Sequence, residues 1–329
     1  MESPLGEEWG EVRFFSLARH ALLEGLKLAG VSAGDKVMMP EFICRELLAP
    51  VHLTGAETIF YPVDEQLRPL MLPECSGIKA VLAVNYFGFP QDLSPFRKFC
   101  AATGAVLIED NAHGFLSRDP LGQLLGRRGD MGILSLRKTF PLPDGAALVG
   151  NESGAFEGNT TGFRTTPLPL GYRIKSVFRL IQQNTGIPLK KISEQAARVA
   201  RKIRTGNSFP TSSPDSEQSI PMPPPMHRES FRQLGNQDTS REETRRKQLY
   251  MTVEQRLKNP DIQPIFPSLP DGTVPYGYPF RANTASAQTA VRLAGKMGFD
   301  CSLWPELPDA VAASAPAHYK NVYWVNFLC

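Results

Sequence analysis

Residues 106–148 read VLIEDNAHGFLSRDPLGQLLGRRGDMGILSLRKTFPLPDGAAL, from Val106 to Leu148. An apolar run (Val106, Leu107, Ile108) stops on two carboxylates, Glu109 and Asp110, as a buried strand does at its polar end. A second short apolar run delivers Ser135 and then Lys138. A Pro/Gly turn and a third strand-like run, Ala146 to Val149, follow. An acid at one strand end and a lysine shortly after another can face a common cleft. That pair suits a cofactor needing both an imine-forming amine and a carboxylate under a ring nitrogen, the chemistry of pyridoxal 5'-phosphate (PLP). Each residue alone reads as ordinary turn chemistry; the combination points to the cofactor.

Working outward, the chain upstream alternates short apolar runs with helical spacing. Phe14 to Leu28 reads as a helix entered through Ser16 and stopped at Gly30. The backbone N–H groups at its start, with Arg19, form a candidate phosphate cup; a plain amphipathic surface helix reads equally well. Strands are expected at Lys36–Pro40, Glu57–Val63, Lys79–Asn85 and Val106–Ile108. Helices are expected at Ile43–Thr54, interrupted near Pro50, and at Ser94–Thr103, ending at Gly104. Runs of this length joined by helices indicate parallel strands with crossovers, hence an α/β layered domain with ligands at the carboxyl ends of the strands. Tyr86-Phe87-Gly88-Phe89-Pro90 follows one such end, as Glu109-Asp110 follows another.

Bulk properties bound the rest. At 329 residues two domains are the prior, and 42% hydrophobic and 21% charged residues describe an ordinary globular protein. The net charge of +3 is too small to argue for nucleic acid. No apolar run approaches membrane-spanning length, and the polar, acidic N-terminus is unlike a secretory signal. Five scattered cysteines (Cys44, Cys75, Cys100, Cys301, Cys329) lack CxxC spacing, which offers no metal motif and no disulfide framework, so a reducing cytoplasm is expected.

After Val149 the character changes. Asn151–Pro169 reads as a polar loop, and Ile174–Ile181 and Ile192–Ile203 as two basic helices, whose charge is either a solvated face or a site for a phosphate-bearing substrate or acidic partner. Residues 206–239 form a Pro/Ser-rich linker. Arg241–Lys258 and Ala285–Met297 are helical, Asp261–Phe280 is Pro-rich and extended, and Tyr323–Leu328 is a terminal strand. The expected domains are therefore 1–205, a large α/β domain, and 240–329, a smaller α+β domain that stops without an obvious final helix.

With these residues in hand, the chain resembles the DegT/DnrJ/EryC1/StrS sugar aminotransferases, within the fold type I PLP-dependent enzymes. The resemblance covers residues 12–150 well and 240–329 loosely. It rests on Ser16-Leu17-Ala18-Arg19-His20-Ala21-Leu22, Gly34-Asp35-Lys36-Val37-Met38-Met39-Pro40, Tyr86-Phe87-Gly88-Phe89-Pro90, Glu109-Asp110-Asn111-Ala112-His113-Gly114 and the run from Gly129 to Lys138, in the family's order. It implies a mostly parallel central sheet flanked by helices, PLP as cofactor, and a homodimer. It implies that Lys138 bonds the cofactor and shuttles a proton, Asp110 holds the ring nitrogen protonated, and Ser135, Ala18 and Arg19 hold the phosphate. His113 would sit beside the ring near its phenolate oxygen, or be a satisfied structural histidine; Asn85 is a further candidate at a strand end facing the same cleft.

Three departures stand out. The residue usually stacked on the ring falls at Cys44, leaving Phe42 or Tyr86 to supply an aromatic face. The family's substrate-loop signature is absent, with Gly171-Tyr172-Arg173-Ile174 nearest, and the usual last segment after a strand like Tyr323–Leu328 is missing. The resemblance implies transfer of an amino group from an amino acid, glutamate, to a nucleotide-linked keto-sugar. Relatives that dehydrate sugars replace the lysine by histidine, which Lys138 argues against. The competing reading is a non-catalytic homologue that binds or scaffolds in a polysaccharide pathway.

Overall fold

A computed structural model describes residues 3–151, 154, 156, 162–168, 172, 174 and 213–328. Its contacts divide the chain into two units, one of residues 1–164 with 214–329 and one of Thr165–Ser213. Of the second unit only residues 165–168, 172, 174 and 213 are described. The expected helices Ile174–Ile181 (beyond Ile174) and Ile192–Ile203, residues 152, 153, 155, 157–161 and 169 of the expected loop, Gly171 and Arg173 of the nearest substrate-loop match, and linker residues 206–212 lie outside the described residues.

Seven strands of the first unit, among its described residues, form one sheet: β1 (Glu11–Phe15), β2 (Lys36–Pro40), β3 (Glu57–Tyr61), β4 (Ile78–Val84), β5 (Val106–Asn111), β6 (Met131–Leu134) and β7 (Ala146–Gly150). Their order is β1-β7-β6-β5-β4-β2-β3. The five strands β2 to β6 run parallel, while β7 is antiparallel to both β6 and β1. β6 and β7 are buried at every position, as expected where both faces of a sheet are covered. Helix α1 (Ala18–Leu28) lies on the sheet with Ala21, Leu22, Gly25 and Leu26 inward. Gly25 permits the close approach, since a Cβ there would meet Leu148 at 3.2 Å.

Two expectations are corrected here. Phe14 and Phe15 pair with Ala147 and Ala146 as the end of β1, so the helix begins only at Ala18. Aromatic residues suit a half-buried strand as well as a helix face, and periodicity does not separate the two over so short a run. Ser16 is therefore no helix cap: its N–H donates to the Pro224 carbonyl at 2.8 Å and its hydroxyl to Pro223 at 2.6 Å. Pro50 does not interrupt its helix either. It is the third residue of α2 (Leu48–Thr54), in the first turn, where no N–H is needed for the ladder.

Over its described part, the stretch expected as a linker is fastened to the sheet. Besides Pro223 and Pro224, the Met222 carbonyl meets His20 Nε2 at 2.6 Å, and Phe231 and Leu234 of α4 (Arg228–Leu234) are buried. Proline composition advertises the lost donors, while the carbonyls that remain are ready acceptors.

The C-terminal region holds a four-stranded antiparallel sheet, β8 (Ile262–Pro264), β9 (Gly277–Ala282), β10 (Asp300–Leu303) and β11 (Val322–Asn326), in the order β10-β11-β9-β8. Helices α5 (Thr239–Arg256) and α6 (Thr284–Met297) accompany it; α6 starts on an Asn283 cap and ends at Gly298, whose φ of +86° a glycine adopts without strain. One apolar core runs from Leu22 of α1 and Ile108 in the large sheet to Phe280 and Val325 in the small one. No helix among the described residues is long and apolar enough to cross a membrane.

Candidate active site

The parallel strands place their carboxyl ends side by side. Val84 of β4 is in register with Asp110 of β5, and Asp110 with Ile133 of β6. The residues that follow each end, together with the start of α1, enclose a cavity of about 240 Å³. Ala18, Arg19, Asn85, Asp110, His113, Ser135 and Lys138 all line it. Every site residue expected from the sequence is thus brought to one place, as the strand-end rule for α/β sheets requires.

Alternation along β5 sorts the two carboxylates. Glu109 points away from the cavity into a fully buried network, where it accepts from Arg128 Nε at 2.8 Å, Arg128 Nη2 at 2.6 Å, the Arg128 backbone N–H at 2.9 Å and Asn85 Nδ2 at 2.8 Å. Asp110 points into the cavity. Its Oδ1 accepts the Ala112 N–H at 2.9 Å. Burial raises its carboxyl above the ordinary range, against the lowering effects of that hydrogen bond and of Lys138. Asn85 borders the cavity, but its amide is committed to the network: Nδ2 to Glu109, and Oδ1 accepting from Gln91 N–H and Arg128 Nη2, both at 2.9 Å. Its role is to tie the ends of β4 and β5 together.

Lys138 closes the 3-10 turn Leu136–Lys138 that follows Ser135. Burial lowers its amine below the ordinary lysine value, while Cys44 and Asp110 pull the other way. Its Nζ stands 5.7 Å from the centre of the Tyr276 ring. His113 stacks on that same ring, centroids 4.4 Å apart and planes at 17°. The Phe87 N–H donates to His113 Nδ1 at 3.2 Å, which assigns the proton to Nε2. Burial, with the Lys138 and Arg246 charges, pushes His113 well below its ordinary value, so it is a neutral hydrogen-bond donor. α1 is preceded by Leu17, whose side chain makes no capping bond, and Leu17, Ala18 and Arg19 line the cavity together with Ser135.

Neither Phe42 nor Tyr86 supplies the aromatic face missing at Cys44. Phe42 is sealed in the core against Tyr86, Trp304 and Tyr319, and the Tyr86 hydroxyl donates to the Phe42 carbonyl at 2.7 Å. The rings that do line the cavity are His113, Tyr276 and Trp304. Cys44 also lines it, its thiol pushed up to about 12, chiefly by burial, and hence neutral. Tyr276 and Trp304 were not among the expected site residues; they lie in Pro-rich extended segments with no periodicity to single them out. Glu46 and Arg137 also line the cavity and add one charge of each sign to its wall.

Comparison with known proteins places this cavity in a familiar setting. A GDP-perosamine synthase from Escherichia coli O157:H7 is 26% identical over 144 residues, 42% of this chain and 39% of the relative. A dTDP-4-dehydro-2,3,6-trideoxy-D-glucose 4-aminotransferase from Saccharopolyspora spinosa is 29% identical over 136 residues, 40% of this chain and 35% of the relative. The matches thus span under two fifths of these relatives' length. Among solved structures, the aminotransferase TlmJ from Streptoalloteichus hindustanus superposes with a TM-score of 0.63 at 20% identity, over 98% of this chain and 81% of its own, which establishes the shared fold. Residues 15–157, the stretch holding every cavity residue expected from the sequence, match the DegT/DnrJ/EryC1/StrS aminotransferase family, and it is in this stretch that the chain is similar to it.

Proposed function

We propose that this chain is a PLP-dependent aminotransferase that moves an amino group from an amino acid, glutamate, to a nucleotide-linked keto-sugar, as a cytoplasmic homodimer. The observation that carries the reading is the shared cavity of Lys138 and Asp110, lined also by the uncapped start of α1. The donor set fits PLP: an amine, a carboxylate with an oxygen free to face a ring nitrogen, a neutral donor at His113, and N–H groups with Ser135 and Arg19 for a phosphate. The related family is PLP-dependent, and the two curated relatives above are named for nucleotide-sugar chemistry.

When bound, PLP supplies the electron sink that stabilises charge on the substrate carbon losing its proton. Lys138 Nζ, whose hold on a proton is weakened by burial, takes that proton and returns it. Asp110 is costly to ionise alone in its buried position, and it ionises most readily against a cation, so it favours a protonated ring nitrogen facing it. His113 Nε2–H donates to an oxygen on the ring without gaining charge itself. Tyr276 and Trp304 supply aromatic lining in the cavity that also holds Cys44. A non-catalytic scaffold would have no need of Lys138 and Asp110 held in this cavity.

Purified protein given PLP should turn yellow, and borohydride should fix the cofactor's mass on the Lys138 peptide. Lys138→Ala should lose colour and all transfer from glutamate across a panel of keto-sugar nucleotides. A protein that stays colourless and takes up no PLP overturns the proposal. Light scattering on the loaded protein should give twice the 36.3 kDa chain mass; a monomer would overturn the homodimer.

A further inference from the structure

Arg246 of α5 is almost wholly buried and lies outside the cavity lining. Its Nε donates to Glu242, one turn back on the same helix, at 2.6 Å. Its Nη1 donates to the carbonyls of Pro275 at 3.3 Å and Tyr276 at 3.2 Å. Its Nη2 donates to the carbonyls of Lys138 and Thr139, both at 3.1 Å. A guanidinium carries five N–H donors in a planar fork, and here all five are used, on three separate segments. Two of those segments line the cavity: the turn that presents the Lys138 amine, and the strand entry that presents the Tyr276 ring.

We propose that Arg246 is a positioning residue, which fixes the Lys138 turn against the Tyr276 wall and so sets where the Lys138 amine stands in the cavity. The proposal rests on the reading of Lys138 as the reacting amine. Two further contacts agree with it. The Tyr276 N–H donates to the Phe87 carbonyl at 2.8 Å, while the Phe87 N–H holds His113, so the wall that Arg246 grips also carries the histidine. Both of its bonds to the lysine turn end on backbone carbonyls, so Arg246 grips the backbone that carries Lys138 rather than the Lys138 amine. A lysine at 246 keeps the charge but has only three donors on a flexible stem and cannot grip four carbonyls on two segments.

The test reads Lys138 in the protein without added cofactor. Trinitrobenzenesulfonate is reacted over a pH series, and the extent at Lys138 is obtained by peptide mapping, with the more exposed Lys247 of α5 as internal reference. In Arg246→Lys the turn loosens, water reaches the amine, and the midpoint for Lys138 rises by about one pH unit, which is about tenfold slower modification at a fixed lower pH. Lys247 does not move. Glu242→Gln, which weakens the Nε anchor and the Glu242–Arg245 pair but leaves the four carbonyl contacts, gives a smaller shift of the same sign and serves if Arg246→Lys does not fold. A Lys138 profile that superimposes on that of the original protein in the folded variant overturns the proposal, whether or not the melting temperature falls, because Arg246 then only supports the fold. Failure of borohydride to trap PLP on Lys138 in the unaltered protein would overturn the enzyme reading instead, and leaves this measurement intact.

Discussion

Arg128→Met tests how the end of β5 is held. Glu109 is fully buried, and two of its four hydrogen bonds, with the compensating charge, come from the Arg128 side chain. Removing one partner of a buried pair leaves an uncompensated charge and costs about 3–5 kcal/mol. Unfolding entropy of about 2.1 cal/mol/K per residue gives about 0.7 kcal/mol/K for 329 residues. The melting temperature should therefore fall by about 4–7 °C, read by circular dichroism at neutral pH. Adding Glu109→Gln in the same chain removes the stranded charge and keeps one acceptor oxygen, for either Asn85 Nδ2 or the Arg128 N–H, so it should recover part of the loss. Two results refute the reasoning: a single variant that loses less than about 1 kcal/mol, or a double variant less stable than the single one. Because Asn85 joins this network to the end of β4, the single variant should also take up PLP more weakly, although no atom of the pair faces the cavity.

Two other perturbations probe the sheet and the cavity. In Gly132→Ala the new Cβ would land on the Gly126 carbonyl oxygen and 2.8 Å from the Gly126 Cα, both backbone atoms that cannot swing aside; the cost should exceed the usual ~1–3 kcal/mol of overpacking and leave the variant insoluble. A soluble variant with an unchanged melting temperature would refute that packing. His113 has its folded-state value pushed well below an unfolded value of about 6.5, so below pH ~6.5 the unfolded chain binds a proton that the folded one does not, and stability falls as pH falls. His113→Gln should flatten the slope of melting temperature against pH in that range; an unchanged slope would show that His113 is protonated while folded.

What could be read from the sequence was what is local. The runs at Val106–Ile108 and Ala146–Val149 become strands because their own residues require burial, and the helices at Ser94–Thr103 and Ala285–Met297 end at Gly104 and Gly298, each with positive φ. The candidate residues from Ala18 to Lys138 were legible because each follows a strand end or opens a helix, and a parallel sheet gathers such positions without further instruction. Phe14 was misread because the pairing of β1 with β7 joins segments far apart in the chain, and its partner Ala147 leaves no mark beside it.

The same reasoning explains which parts of the cavity stayed hidden. Arg246 reaches Lys138 across 108 residues of chain and sits on a helix whose many charges look like a solvated face. Tyr276 and Trp304 lie in stretches where proline obscures any period. A strand-end residue is placed by the sheet, whereas these three are placed by docking of the C-terminal elements, which depends on surfaces no short window of sequence displays. The division has a functional side. The residues suited to a cofactor come from the large sheet and were visible, while the ring that walls the cavity and the fork that grips the lysine turn come from the C-terminal elements. Loss of those elements would leave Asp110 in β5 and Lys138 on the turn after β6 with the Tyr276 wall and the Arg246 grip gone, so the large sheet alone can present the chemical groups without enclosing them.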